Sequence, residues 1–196
     1  MNLIARLSER SWEPASDRLD LSHRPSAGAV GLAAYAAVMA VMFSLVMVAY
    51  VMRMGLHAAM GHADDWVAMP HPPLLWINSA VLVMSSVAWE VARRAAERGE
   101  ASRAPLLGGA LGLCFLGGQW LLWRHYQAAG YYLASNPANA FFYLLTALHG
   151  VHIAGGLVAA AWVLASRTLP HVRLCALYWH LLLLIWMAIA VLLLLT

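Results

Sequence analysis

Long apolar runs, separated by short polar stretches marked with proline, set the pattern of this chain. Between Pro25 and Gly55 the only charged side chain is Arg53. About 20 apolar residues in a helix cross a bilayer. The runs predict five such helices, over residues 27–52, 74–92, 106–124, 140–165 and 174–195. Pro70, Pro72 and Pro73 stand before the second, Pro105 opens the third, Asn136-Pro137 precedes the fourth, and Pro170 falls in the turn before the fifth. Proline is tolerated in a first helical turn and not in the interior, so these are boundary marks. The expected fold class is all-α and polytopic: a transmembrane domain of five helices over residues 27–196, preceded by a segment of residues 1–26. Leu3, Ile4, Leu7 and Trp12 in that segment are spaced for a short helix lying on the membrane surface. Its many charges, from Arg6 and Glu9 to Asp20 and Arg24, leave no apolar core for a cleavable signal peptide.

Composition narrows the class. Of 196 residues, 63% are hydrophobic and 11% charged, under half the charge of a soluble domain. All 12 basic residues are arginine. A basic chain suggests nucleic acid, but the placement of the arginines speaks for topology instead. Arg6, Arg10, Arg18 and Arg24, then Arg93, Arg94, Arg98 and Arg103, then Arg167 and Arg173 fall on one side; only Arg53 and Arg124 fall on the other. Positive loops stay inside. The expectation is a cytoplasmic N-terminus and a periplasmic C-terminus in a bacterial inner membrane, with no nucleic-acid partner. Cys114 and Cys175 lie far apart and form no CxxC, so they read as small core side chains rather than a disulfide or metal framework. Gly108 and Gly112, Gly117 and Gly118, and Gly155 and Gly156 read as places where helices approach closely.

Histidine inside an apolar run is costly without a partner. His149 and His152 sit three residues apart in the fourth run, and His180 lies in the fifth. Counted at the helical rise, His149 lies about 14 Å and His152 about 18 Å from the outer boundary, with His180 about 9 Å above the inner one. Glu90, followed by Arg93 and Arg94, falls near the same inner boundary. These residues are candidates to converge in the inner leaflet. Three readings stand side by side: an ordinary ion pair at Glu90 with histidines bonded to neighbouring helices; a cleft whose His152, His180, Glu90, Arg93 and Arg94 meet a phospholipid headgroup; or axial haem ligation by His152 and His180. No catalytic residue is identified. The outer loop between the first two runs holds His57, His62, His71, Met52, Met54, Met60, Met69, Asp64 and Asp65. Thioether and imidazole suit copper, but the spacing fits no metal template, and loop polarity accounts for it.

Several segments, in order, resemble subunit III of the haem-copper respiratory oxidases in its five-helix bacterial form. Phe43-Ser44 followed by Tyr50 resembles the first span. Asn78-Ser79 with Ser85-Ser86 resembles the second, Phe115-Leu116-Gly117-Gly118-Gln119 the third. Thr146 through His152, containing His149, Gly150 and His152, resembles the fourth, and Tyr178-Trp179-His180 with Trp186 the fifth. The resemblance implies a subunit with no redox centre and no catalytic residue of its own. It would stabilise a catalytic subunit I, and a subunit II beside it, hold structural lipid, and leave haem and copper to its partner. The chain departs from the family pattern at Met39, Leu122 and Leu183, where the family carries acids, so no role of those acids in proton supply transfers. The alternatives are an accessory subunit of a nitric oxide reductase, or a free-standing membrane assembly factor handling copper or haem.

Overall fold

The computed structural model describes residues 26–59, 66, 69–70, 72–166 and 168–195, the side chains of 56–59 excepted. Its helices are α1 (Ala27–Ala59), α2 (Pro73–Glu97), α3 (Ala104–Ala128), α4 (Pro137–Ser166) and α5 (Leu169–Leu194). No strand occurs among the described residues. All five helices are long and apolar enough to cross a membrane, and the chain is a multi-pass membrane protein.

The helices outrun the apolar runs that predict them. A helix need not stop where hydrocarbon does, because its backbone bonds also serve in the interfacial layer. In α2 the additional turn is supported by ion pairs at helical spacing, Arg93 with Glu90 at 2.6 Å and with Glu97 at 2.8 Å. Pro170 lies inside the first turn of α5 and not in the turn before it. Its missing N–H is one of those that a helix start leaves unpaired anyway. Beyond α2 the chain reverses at Gly99 (φ 72°), and the amide of Glu100 donates to the carbonyl of Ala95 at 2.9 Å. Beyond α3, Gly130 (φ 88°) does the same, with Tyr131 donating to Tyr126 at 2.9 Å. This left-handed closure is the one glycine adopts without a steric penalty.

Helices α2, α3, α4 and α5 pack in a ring, each against the next and α5 back against α2. α1 lies outside that ring on α4 and α5. Only 11% of its most apolar stretch is buried, against 44% for α5, so most of α1 faces outward. Three tryptophans, Trp89, Trp179 and Trp186, fill the ring's interior with Phe115 and Phe142. Three of the glycines identified in the sequence seat these rings, and Gly118 seats Asn78, rather than bringing backbones together. A Cβ at Gly108 would fall 2.7 Å from Trp89, one at Gly112 2.8 Å from Trp179, and one at Gly156 2.9 Å from Trp179. Gly117 faces open space. Cys175 is buried, as a core side chain should be, but Cys114 is exposed.

Candidate functional site

The most connected polar structure is the seam between α2 and α5. Residues 86, 90, 93, 94 and 97 fall along one side of α2 at spacings of three and four. His180 of α5 meets this stripe. Its Nδ1 lies 2.6 Å from Ser86 Oγ and its Nε2 3.4 Å from Glu90 Oε2. A carboxylate only accepts, so a neutral His180 donates from Nε2 to Glu90 and accepts the Ser86 hydroxyl proton at Nδ1. Glu90 also accepts from Arg93 at 2.6 and 2.8 Å and from Arg94 at 2.7 Å. Arg93 continues to Glu97 at 2.8 Å, and Arg173 at the start of α5 donates to Glu97 at 3.0 Å. A line of charge-assisted bonds thus runs from inside the seam to the helix ends. A groove of about 420 Å³ opens along it, walled by Val83, Val87 and Leu183, with Arg94 at its polar end.

His152 does not join this cluster. It donates from Nδ1 to the carbonyl of Leu148 at 2.6 Å, and its ring packs 5.5 Å from Phe43 and 6.1 Å from Tyr35 of α1. Depth placed His152 and His180 near one level, but rotation about the helix axes turns them to different neighbours. Beside His152, Tyr178 donates to its carbonyl oxygen at 2.9 Å, and an apolar cleft of about 450 Å³ runs between α1, α4 and α5 past Tyr35 and Tyr178.

His149 is fully buried. The rings of Trp186, Phe115 and Phe43 surround it at 5.2, 5.7 and 6.3 Å, and neither ring nitrogen has a hydrogen-bond partner among the described residues. Asn78 donates to Gln119 at 3.4 Å between α2 and α3. Trp179 donates to Ser85 at 2.6 Å, and Ser85 in turn to the carbonyl of Gly108 at 2.7 Å. Gly150 has only Leu116 nearby. Met39 and Leu122 are buried in the core, whereas Leu183 stands in the groove beside His180.

The sequence reading missed Ser86 and Arg173 as members of the seam. The available signal was Ser86 one turn before Glu90 on the same side of α2. The outer-loop residues His57, His62, His71, Met60, Asp64 and Asp65 lie outside the described side chains. Met52 is exposed and Met69 packs against the core. Among the described residues, no three His, Cys, Asp or Glu side chains are grouped to hold a metal ion.

No family model matches the chain. The chain is 30% identical over 120 residues to a probable cytochrome c oxidase subunit 3 of Mycobacterium leprae, covering 56% of this chain and 59% of that protein. It is 30% identical over 122 residues to the corresponding protein of Nocardia farcinica, covering 57% and 60%. It is 25% identical over 128 residues to a cytochrome bo(3) ubiquinol oxidase subunit 3 of Pseudomonas aeruginosa, covering 60% and 61%. These homologues support the haem-copper oxidase subunit III family. The chain spans about three fifths of the length of the curated relatives it matches. The residues resembling that subunit III sit mostly within the bundle: Asn78, Gln119, His149, Tyr178 and Trp179 are buried, and His180 edges the groove.

Proposed function

We propose that this chain is an accessory subunit III of a haem-copper terminal oxidase, packed beside the catalytic subunit I and near subunit II in a bacterial inner membrane. Its N-terminus is cytoplasmic and its C-terminus periplasmic, haem and copper belong to the partner, and the chain supplies support and lipid contacts rather than a reacting group. The observation behind this reading is the similarity to named subunits 3 of both cytochrome c and ubiquinol oxidases, in a chain with five spans. The donor-neutral class, terminal oxidase, covers both. Purification of the tagged chain from native membranes under mild detergent tests it. Co-purification of a haem-bearing catalytic subunit is expected; recovery of the chain alone, with no crosslinked membrane partner, overturns it.

Within that role, the α2–α5 groove is the phospholipid site. Arg94 and His180 stand at its polar end and Val83, Val87 and Leu183 along its length, an amphipathic wall matching a headgroup phosphate above an acyl chain. An arginine near an anionic membrane surface adds attraction of about 1 kcal/mol. His152 has no part in this site, being bonded to its own helix.

A further inference from the structure

At one end of the ring of helices lies a crater of about 1000 Å³ to which all four contribute: Ala92 and Ala96 of α2, Leu106 of α3, Val163 of α4, and Leu169 and Val172 of α5. Its walls are small or aliphatic, and Leu106 is 60% exposed. Its rim is polar and includes Glu100 and Arg103 in the α2–α3 turn. Arg98 is engaged with Glu100 at 2.9 Å and Arg173 with Glu97, whereas Arg103 has no ion-pair partner among the described residues. A cavity with this lining, open at the arginine-rich end of a membrane bundle, exposes apolar surface where headgroups and water begin. Burying such surface is favourable by about 25 cal/mol per Å².

We infer that residues 1–25 dock back into this crater with the apolar face of Leu3, Ile4 and Leu7 inward. Reach is the first argument. α1 begins against α5, since a Cβ at Gly28 would fall 2.9 Å from Leu174 Cδ1, and Leu174 lies one turn beyond the crater wall at Leu169 and Val172. Twelve residues, 14–25, extend up to about 40 Å, against interhelix spacings of about 10 Å. Pattern is the second argument. On a helix, Leu3, Ile4 and Leu7 fall within an arc of about 100°, and Arg6, Glu9, Arg10 and Glu13 fall within a second arc of about 100° centred about 120° away, with Arg10 bordering Leu3. Charge is the third, and it separates this occupant from the membrane surface. Residues 1–25 contain four arginines and four acids, whereas helices that lie on anionic membranes present an excess of basic side chains. Glu9 and Glu13, one turn apart, suit a rim where Arg103 is the arginine with no described partner.

The test uses the full chain, in its native complex, reconstituted in nanodiscs that expose both faces. With Cys114 and Cys175 replaced by alanine, Ala101→Cys at the rim is labelled with a water-soluble maleimide, with and without residues 2–20. Labelling of the full chain is expected to be slower by at least about tenfold, corresponding to about 1.4 kcal/mol of docking. The pair Ile4→Asp and Leu7→Asp should restore the fast rate. Equal rates with and without the segment overturn the inference, as does protection that persists after truncation, which assigns the crater to lipid or to another subunit. As a second measurement independent of truncation, a photocrosslinker at Leu7 should attach to residues 96–106 or 164–172; attachment to lipid alone overturns it.

Discussion

His149 and His180 stand on adjacent helices and are both polar side chains in apolar sequence, yet their surroundings are opposite. His180 is held between Ser86 and Glu90 at the edge of a groove. His149 lies in a box of Phe43, Phe115 and Trp186, with neither nitrogen paired among the described residues. The seam is a polar device in which each ring nitrogen of His180 has a partner. The box treats imidazole as one more flat ring. The lesson is that a histidine in an apolar run does not by itself declare the chemistry of its site; the partners decide it.

The largest expected effect falls on the framework common to both regions. Trp179 fills the space left by Gly112 and Gly156, stacks 5.2 Å from Trp89 and bonds Ser85. Trp179→Ala should cost about 3–5 kcal/mol, read as a lower unfolding temperature of the purified complex and a fall in the amount assembled. A shift of only a degree or two would mean that the ring does not depend on its indoles.

The comparison itself is sharpened by putting phenylalanine at each histidine. His149→Phe keeps the box aromatic and removes two unpaired polar atoms, so stability should hold or rise by about 1–2 kcal/mol. His180→Phe strands the Ser86 hydroxyl and one Glu90 contact and should lower stability by about 1 kcal/mol. Thermal denaturation of the two variants side by side decides it; a His149→Phe variant less stable than His180→Phe reverses the assignment of device and box.

The smallest effect is on lipid. His180→Leu should reduce the phospholipid retained per complex, measured by native mass spectrometry, with initial turnover near normal and working life shortened. His152→Leu should leave lipid content unchanged, because its imidazole is bonded to Leu148 and packed on α1. Equal lipid loss in both variants would return the two histidines to one site.

The sequence alone determined the membrane class and the number and order of the spans, because crossing hydrocarbon demands a long apolar run with internally paired backbone, and that demand is written residue by residue; the helix ends, which run up to seven residues past the apolar runs, were not legible from it. It also made Glu90 with Arg93 and Arg94 legible as an ion pair, since i+3 and i+4 neighbours are fixed by the helix itself. The place of each histidine along its helix was legible too, from the rise per residue. Its rotation toward one neighbour or another was not. That depends on which helices adjoin and how they are turned, which is settled by bulky residues finding small ones across the interface: Trp89 at Gly108, Trp179 at Gly112 and Gly156. Only the tertiary structure therefore separated His152 from His180, joined Ser86 and Arg173 to the seam, enclosed His149 among aromatic rings, and opened a crater at the end of the ring. Each of these follows from packing between residues distant in sequence, where local periodicity holds no information.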